Sequence, residues 1–187
     1  MTTEIKDQVR EFYDQVGWQE ISNGLYQNAR YEDLRPVSQE YIHSCHMRVL
    51  QHLPPQGSFL LDAGSGPIQY PEYVEYSRGY DKRVCADISI VALDEARNRI
   101  GDHGLFVVAD LANLPFKDAA FDAVVTLHAI HHLPETEHAQ AFDGLYRTMT
   151  PGASAVVVNG WDESTFSRLT DQLIAIARRF RGKPGRL

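Results

Sequence analysis

Apolar residues recur at two different spacings along the chain. Up to about residue 55 they repeat every three or four positions, which predicts one helix from Thr3 to Gly17 and a second that begins near Pro36. From Ser58 onward, short apolar runs alternate with helical patterns, and the runs span 58–62, 83–87, 105–109, 121–127 and 153–158. Runs that are apolar on both faces predict a parallel sheet covered by helices on both sides.

This change of spacing divides the chain into residues 1–55, a helical segment expected to form a lid, and residues 56–187, the core. After the fifth run, Asp162 could cap a last helix that extends to Phe180. The run 153–158 would then be an exposed apolar edge strand. We therefore expect either that the chain is a fragment of a longer protein or that another element or subunit, as in a homodimer, covers this edge.

Composition limits the partners. The 187 residues suit one domain, and the net charge of -7 argues against broad electrostatic attraction to nucleic acid or anionic membranes. A basic cluster at residues 178–186 is typical of a solvated helix end. No apolar signal region opens the sequence, and no window approaches the roughly 18 apolar residues of a membrane span. A cytoplasmic protein that acts on a small molecule is the expectation.

Acidic residues stand where three predicted strands end. Asp62 leads into a turn with Gly64 and Gly66, Asp87 ends the second strand, and Asp110 follows the third. Ligands of open parallel sheets bind beyond the carboxyl ends of the strands. The two oxygens of Asp87, about 25 residues after the first acid, could each accept a hydrogen bond from a ribose hydroxyl. The pattern predicts a nucleotide-like ligand.

The glycine turn narrows the ligand class. A dinucleotide site would carry glycines at the first, third and sixth positions of the turn, but Gln69 occupies the sixth position here. Pro67 also removes one backbone N–H donor. A ligand with a ribose and no phosphate fits this turn better.

Several segments between Leu60 and Gly160 together resemble the class I S-adenosylmethionine-dependent methyltransferases. Among these, the chain looks most like the small-molecule group that includes the ubiquinone and menaquinone C-methyltransferases. The segments are 61–66, 86–89, 109–116, 121–125, 128–134 and 145–152. The resemblance implies a Rossmann-like doubly wound sheet of strand order 3-2-1-4-5, with S-adenosylmethionine as cofactor. The last two strands usual in the family have no counterpart in the sequence.

The same resemblance implies roles for individual residues. Those at the cofactor would be Asp62, Ala63, Gly64, Ser65 and Gly66 at its amino-acid end, Asp87 at the ribose, Ile88 and Leu111 against adenine, Asp110 near the adenine amino group, and His128 near the methionine portion. The chain departs from the family at Ile68, where a third alternate glycine is frequent.

Structural alternatives remain open for several of these positions. Asp87 and Asp110 could instead cap the helices or turns that follow them, and the glycines could be mere turn residues. Asp122, at the start of the fourth strand, is expected to be structural. The histidines at 128, 131, 132 and 138 could suggest a metal site, but the resemblance explains 131–134 as a recurring turn, so no metal is predicted.

Methyl transfer chiefly requires positioning of the acceptor, so no catalytic residue is assigned. Where the acceptor must lose a proton, the candidates for a catalytic role are His128, His132 and Tyr13. The fourth strand ends without the Asn/Asp-Pro-Pro-aromatic run of relatives that methylate exocyclic base amines. We predict methyl transfer to a small molecule. The alternatives are a non-catalytic S-adenosylmethionine or S-adenosylhomocysteine binder for regulation or assembly, and the cofactor half of a larger methyltransferase.

Overall fold

The computed structural model describes residues 2–22, 25–27 and 34–159. The chain opens with helix α1 (Thr2–Phe12) and a π-helical turn over Tyr13–Gly17. A short antiparallel pair follows, β1 (Glu20–Ser22) with β2 (Leu25–Tyr26), which the sequence did not predict. Helix α2 (Pro36–Arg48) then begins with Pro36 in its first turn, where a missing N–H costs nothing, and a 3-10 turn continues it through His52.

A five-stranded parallel sheet forms the centre of the molecule. Its strands are β3 (Gly57–Ala63), β4 (Tyr80–Asp87), β5 (Gly104–Val108), β6 (Phe121–Leu127) and β7 (Met149–Val158). They lie in the order β5-β4-β3-β6-β7, and all four pairings are parallel. Counted within the sheet this order is 3-2-1-4-5, so the predicted fold class and strand order are confirmed.

Helices cover both faces of the sheet. Alternate strand residues point to opposite sides, so Leu60 and Val125 pack in one apolar cluster while Leu61 and Val124 pack in another. The first cluster includes residues of α3 (Pro71–Glu75) and α4 (Ile90–Ile100), and the second includes residues of α5 (His138–Thr148). This two-sided burial explains why the strands are apolar on both faces.

The start of one strand differs from the sequence prediction. Strand β7 begins at Met149, four residues before the predicted start, and a register shift lies opposite Phe121 and Ala123. Pro151 and Gly152 are poor strand formers, so the sequence did not indicate this start. A strand at the edge of a sheet nevertheless tolerates them. The predicted last helix and the basic cluster at 178–186 lie outside the described residues. No helix in the described ranges is long and apolar enough to cross a membrane.

Asp122 ties two strands together, as expected for a structural residue. Its Oδ2 accepts hydrogen bonds from the backbone N–H groups of Ser58 (2.7 Å) and Phe59 (3.0 Å). The carboxylate thereby satisfies two donors where β3 begins, at the end of the sheet opposite the acids Asp62 and Asp87. The structural interpretation of Asp122 is confirmed.

Candidate functional site

A cavity of about 360 Å³ lies at the carboxyl ends of the central strands. Its walls come from the turn after β3, the ends of β4 and β6, the segment that follows β5, and helix α1 with the turn behind it. This is the position that an open parallel sheet offers to a ligand. A volume of this size lies within the range of about 300–1,000 Å³ that is typical of small-molecule pockets.

The turn after β3 forms the floor of this pocket and needs its glycines. Gly64 has φ +74° and Gly66 has φ +54°, a region that L side chains rarely adopt. A Cβ on Gly64 would lie only 2.3 Å from the Cβ of Ala129, and a Cβ on Gly66 would meet the indole of Trp18 at 3.1 Å. The glycines are therefore turn residues, and they also let the chain approach the opposite wall closely.

Asp87 stands at the end of β4 and braces this turn. Its Oδ2 accepts a hydrogen bond from the N–H of Gly66 (2.8 Å), and its Oδ1 accepts one from the N–H of Ser89 (2.9 Å). Each carboxylate oxygen can accept a second hydrogen bond. Burial raises the pKa of Asp87 to about 6. The carboxylate thus caps the following turn, as the structural alternative expected, and also lines the pocket.

Asp62 lines the pocket and forms a buried ion pair with Arg83. Its Oδ2 accepts from Nε of Arg83 (3.0 Å) and also contacts Nη2 of Arg83. The Arg83 side chain is fully buried, and its Nη1 donates to the carbonyl of Tyr73 in α3. The pairing neutralises a charge that would be costly to bury alone. Arg83 therefore fixes Asp62 and links β3, β4 and α3.

Asp110 accepts hydrogen bonds from several donors, one of which is on helix α1. It caps the 3-10 turn after β5 by accepting from the N–H of Ala112 (2.9 Å), and its Oδ2 lies 2.6 Å from Nζ of Lys6. Lys6 also contacts Glu137. Burial alone would lower the pKa of Lys6, but the hydrogen bonds to these carboxylates outweigh it, and the pKa is raised.

Aromatic residues from the N-terminal turn cover the pocket. Tyr13 and Trp18 are stacked with ring centroids 4.9 Å apart. The Tyr13 hydroxyl and Nε2 of His132 share a hydrogen bond of 2.9 Å. Burial raises the pKa of Tyr13 and lowers that of His132 to about 4, so both groups are neutral near pH 7. These two candidates for a catalytic role therefore form a neutral pair within the pocket wall.

His128, the third candidate, follows β6 directly. It has φ +54°, and its N–H donates to the carbonyl of Val158 (2.6 Å) in β7. The left-handed backbone turns the chain sharply at the end of the strand. The His128 side chain is exposed and lines the pocket.

The structure brings the predicted site residues together with one exception. The pocket lining includes Tyr13, Asp62, Gly64, Ser65, Gly66, Asp87, Ile88, Asp110, Leu111, His128 and His132. Ala63 does not line it. Because side chains alternate along β3, the Ala63 methyl points away from the face of Asp62 and is fully buried in the apolar cluster beneath α5.

Sequence reasoning missed Lys6 in the N-terminal wall, whereas Val9 and Trp18, which also line the pocket, belong to the segment that was expected to form a lid. Lys6 and Val9 share a helical face with Tyr13, at spacings of three and four residues, and this face is partly buried. The apolar stripe that predicted this helix comprised Ile5, Val9, Phe12, Tyr13 and Val16. Of these, Ile5, Phe12 and Val16 are 42%, 50% and 38% exposed. The signal available in the sequence was that Lys6 precedes Val9 and Tyr13 on the same helical face.

Comparison with known proteins agrees with this geometry. A curated relative from Mus musculus named "Probable tRNA methyltransferase 9B" is 28% identical over 130 residues, which are 68% of this chain and 28% of that protein. The human protein of the same name gives 28% identity over 130 residues and 27% of its length. The chain thus spans under a third of the length of these curated relatives.

Solved structures share the fold. The phosphoethanolamine N-methyltransferase 1 of Haemonchus contortus, solved with phosphoethanolamine and S-adenosylhomocysteine, matches with a TM-score of 0.66 at 14% identity, over 87% of this chain and 34% of that chain. A chain in the complex between the Trm112 methyltransferase activator of Haloferax volcanii and a methyltransferase matches with a TM-score of 0.58 at 22% identity, over 75% of this chain and 62% of that chain.

The family model described as "Methyltransferase domain" matches residues 61–157, which are just over half of the chain. The matched span runs from the second half of β3 almost to the end of β7 and contains Asp62, the glycine turn, Asp87 and Asp110. The chain therefore belongs to the methyltransferase-domain family, whose methyl donor is S-adenosylmethionine, the cofactor that the sequence predicted.

Proposed function

We propose that this chain binds S-adenosylmethionine in the pocket at the strand ends and transfers its methyl group to a small-molecule acceptor. The observation that carries the proposal is the bracing of the glycine turn by Asp87, which leaves each carboxylate oxygen able to accept a further hydrogen bond beside the turn. Two vicinal ribose hydroxyls match such a pair of acceptors.

The chemistry of the pocket fits the cofactor. When bound, S-adenosylmethionine supplies an electrophilic methyl carbon on a sulfonium. Three carboxylates line the pocket. Asp62 and Asp110 are paired with Arg83 and Lys6, whereas Asp87 accepts from backbone N–H groups, so its negative charge is the one that attracts a sulfonium. Ile88 and Leu111 give the apolar contact that an adenine ring needs. Gly64 and Gly66 provide space that any Cβ would fill.

From these contacts we propose a role for each part of the site. Asp87 accepts from the ribose, Asp110 lies near the adenine amino group, and Asp62 with the 63–66 backbone lines the amino-acid end. His128 lies near the methionine portion. Trp18 and Tyr13 exclude water from above, which strengthens the electrostatic interactions inside. The protein then acts mainly by holding an acceptor in line with the bond that breaks.

A second candidate acceptor is tRNA, because the curated relatives at 28% identity carry that word in their name. The net charge of -7 argues against it, since binding to nucleic acid depends on phosphate neutralisation by Lys and Arg. A small acceptor is therefore preferred. We also propose that the protein is cytoplasmic and that a second copy of the chain or a further segment covers the edge of β7.

Calorimetric titration tests the cofactor site. S-adenosylmethionine and S-adenosylhomocysteine should bind and NAD should not. Asp87→Ala should weaken binding by about 1.5 to 3 kcal/mol, the scale of lost hydrogen bonds to a charged group. Asp81→Ala, at an exposed acid near the other end of β4, is the matched control and should leave the affinity unchanged. Binding of NAD alone would overturn the proposal.

Transfer of a labelled methyl group then separates an enzyme from a binding protein. The labelled cofactor is incubated with a metabolite extract and, separately, with total tRNA. Label in a small product supports the proposal, and label in tRNA alone selects the second candidate. Binding without transfer to either pool would indicate the non-catalytic alternative.

A further inference from the structure

A second cavity, of about 250 Å³, adjoins the cofactor pocket. It lies between helices α2 and α3 and the ends of β6 and β7, and it shares Tyr73, Leu127 and His128 with the first pocket. A molecule held there would meet the first pocket at His128, where the proposed function has the methionine portion of the cofactor. This geometry is what an acceptor pocket requires.

Helix α2 and the 3-10 turn that continues it give this cavity one continuous wall. Ile42, Cys45, His46 and Val49 follow the spacing of a single helical face, and all four line the cavity. Tyr73 of α3 and Tyr76, which directly follows this helix, also line the cavity. The lining is therefore aliphatic and aromatic, and its imidazoles are His46 and His128. Such walls suit a flat apolar molecule.

His46 is held in a fixed orientation within this wall. Its ring packs against Tyr70 and Tyr73, with centroids 4.4 Å and 4.9 Å away. Its Nδ1 is buried and lies 3.6 Å from Oε2 of Glu72. The other oxygen of Glu72 lies 2.5 Å from Nδ1 of His43, which fixes the carboxylate.

The pair of Glu72 and His46 has the arrangement of a carboxylate that orients a base. A carboxylate facing Nδ1 favours the tautomer with the proton on that nitrogen, so Nε2 is left to accept another proton. A separation of 3.6 Å exceeds a hydrogen bond, but such contacts commonly tighten once substrate is bound. Burial lowers the pKa of His46 despite the nearby carboxylate, which keeps the imidazole neutral at pH 7.

We propose that the second cavity binds a small phenol as the methyl acceptor and that His46, positioned by Glu72, is the general base for its methylation. This inference rests on the proposed function. A phenolic hydroxyl, with a pKa near 10, is a weak nucleophile at neutral pH and gains most from a base. Its ring would pack on the tyrosines of α3.

The step balances with these groups alone. Nε2 of His46 accepts the hydroxyl proton while the phenol oxygen forms a bond to the methyl carbon. The bond between that carbon and sulfur breaks, and its electron pair stays on sulfur as a neutral thioether. The products are a methyl aryl ether and an imidazolium that faces Glu72, which later releases its proton to water.

The test uses methyl-labelled S-adenosylmethionine with phenol, catechol and 2-naphthol as probes. The full chain should form labelled methyl ethers. His46→Gln should lower kcat by about 100-fold or more, the range of a general base, and leave cofactor affinity within twofold. The residual rate of that variant should rise with pH toward the pKa of the phenol. His52→Gln, at an exposed histidine beyond α2, is the matched control and should behave as the unchanged protein.

A pH profile separates catalysis from packing. The groups that face His46 are Glu72 and Tyr73 from α3, Tyr70 and Tyr76 that flank this helix, His43 from α2, and His128 from the end of β6. Glu72 raises the pKa of His46, so Glu72→Gln should move the acidic limb of the kcat profile to lower pH. A variant that only loosened the wall would lower the rate without moving this limb.

The outcomes are distinguishable. Cofactor binding without methylation of any of the three phenols overturns this inference and leaves the proposed function standing. Transfer to tRNA alone overturns this inference together with the proposed small-molecule acceptor, and leaves only the cofactor site standing. Full activity of His46→Gln overturns the assignment of the base. Failure to bind S-adenosylmethionine overturns both proposals.

Discussion

At the scale of single residues, Ile68 is the most unusual position in the turn that follows β3. It has φ +54°, although its side chain is β-branched and fully buried in the apolar cluster that includes Leu60 and Tyr76. A left-handed backbone costs a non-glycine residue about 1–2 kcal/mol. Arg99 Nη1 donates to the carbonyls of Ile68 (2.9 Å) and Gln69 (3.0 Å), which helps to hold this turn. Burial of the side chain offsets the strain.

Substitutions at Ile68 should separate strain from burial. Ile68→Ala loses the buried side chain and keeps the strain, so we expect a loss of about 2–5 kcal/mol in the free energy of unfolding. Ile68→Gly loses the same contacts but relieves the strain, so it should be more stable than the alanine variant by about 1 kcal/mol. Urea unfolding of both variants measures this difference. In an ordinary helix or strand alanine would be the more stable, and that order here would contradict the prediction.

Titration of Asp87 should set the pH dependence of cofactor binding. Burial raises its pKa to about 6. The ribose contacts that we propose for Asp87 need the ionised form. Below pH 6 the carboxyl gains a proton, an acceptor is lost, and affinity should fall by up to about tenfold per pH unit; above pH 7 it should be constant. Dilute fluorescence titrations with S-adenosylhomocysteine from pH 5 to 7.5 measure this. Asp87→Asn should bind more weakly with a flat profile, and an unchanged slope in that variant would assign the titration to another group.

At the scale of elements, helix α1 is fastened over the pocket by one lysine. Lys6 pairs with Asp110, 104 positions away in sequence, and with Glu137, and its side chain is only 13% exposed. Hydrogen bonds to charged groups are worth about 1.5–3 kcal/mol. Removing Lys6 should therefore detach α1 and leave two carboxylates facing each other.

The variant Lys6→Met should release cofactor faster. We expect the dissociation rate of S-adenosylhomocysteine to rise at least tenfold, followed by stopped-flow fluorescence of Trp18 in a Trp161→Phe background. Arg10→Met, on the same helix but in an exposed pair with Asp7, is the control and should change nothing. Equal rates for both variants would show that the lysine does not fasten the helix.

The buried pair of Arg83 and Asp62 couples strands β3 and β4 to helix α3. Arg83→Met should cost about 3–5 kcal/mol in the free energy of unfolding, because it leaves Asp62 buried without a partner. The double variant with Asp62→Leu should recover much of that loss, since two apolar groups can replace a buried pair. A double variant as unstable as the single one would mean that the contact of Arg83 with Tyr73 carries the effect.

Local pattern was sufficient for some elements and insufficient for others. The strands were predictable because burial on both faces gives each strand a continuous apolar run. Their terminal acids were predictable because each lies in a short local motif of the family. The contact of Lys6 with Asp110 was not, because it depends on how α1 lies over the sheet. The strand pair β1–β2 was missed because two or three residues give no period to detect.

At the scale of the whole molecule, the pocket joins distant parts of the chain, since its lining runs from Lys6 to Leu133. A ligand bound there contacts α1, its following turn and four strand ends at once. Binding should therefore stabilise the N-terminal wall and the sheet together. A ligand that binds only the folded state adds RT ln(1 + [L]/Kd), which is about 2.7 kcal/mol at 100 times Kd.

This coupling predicts a single transition with bound ligand. S-adenosylhomocysteine at 100 times its Kd should raise the free energy of unfolding by about 2.7 kcal/mol, by both far-UV circular dichroism and Trp18 fluorescence in the Trp161→Phe background. Circular dichroism follows all helices, whereas Trp18 reports on the wall that touches Gly66. NAD at the same concentration should shift neither signal. A shift in circular dichroism without one in fluorescence would mean that the N-terminal wall unfolds independently of the sheet and that the ligand is held by the strand ends alone.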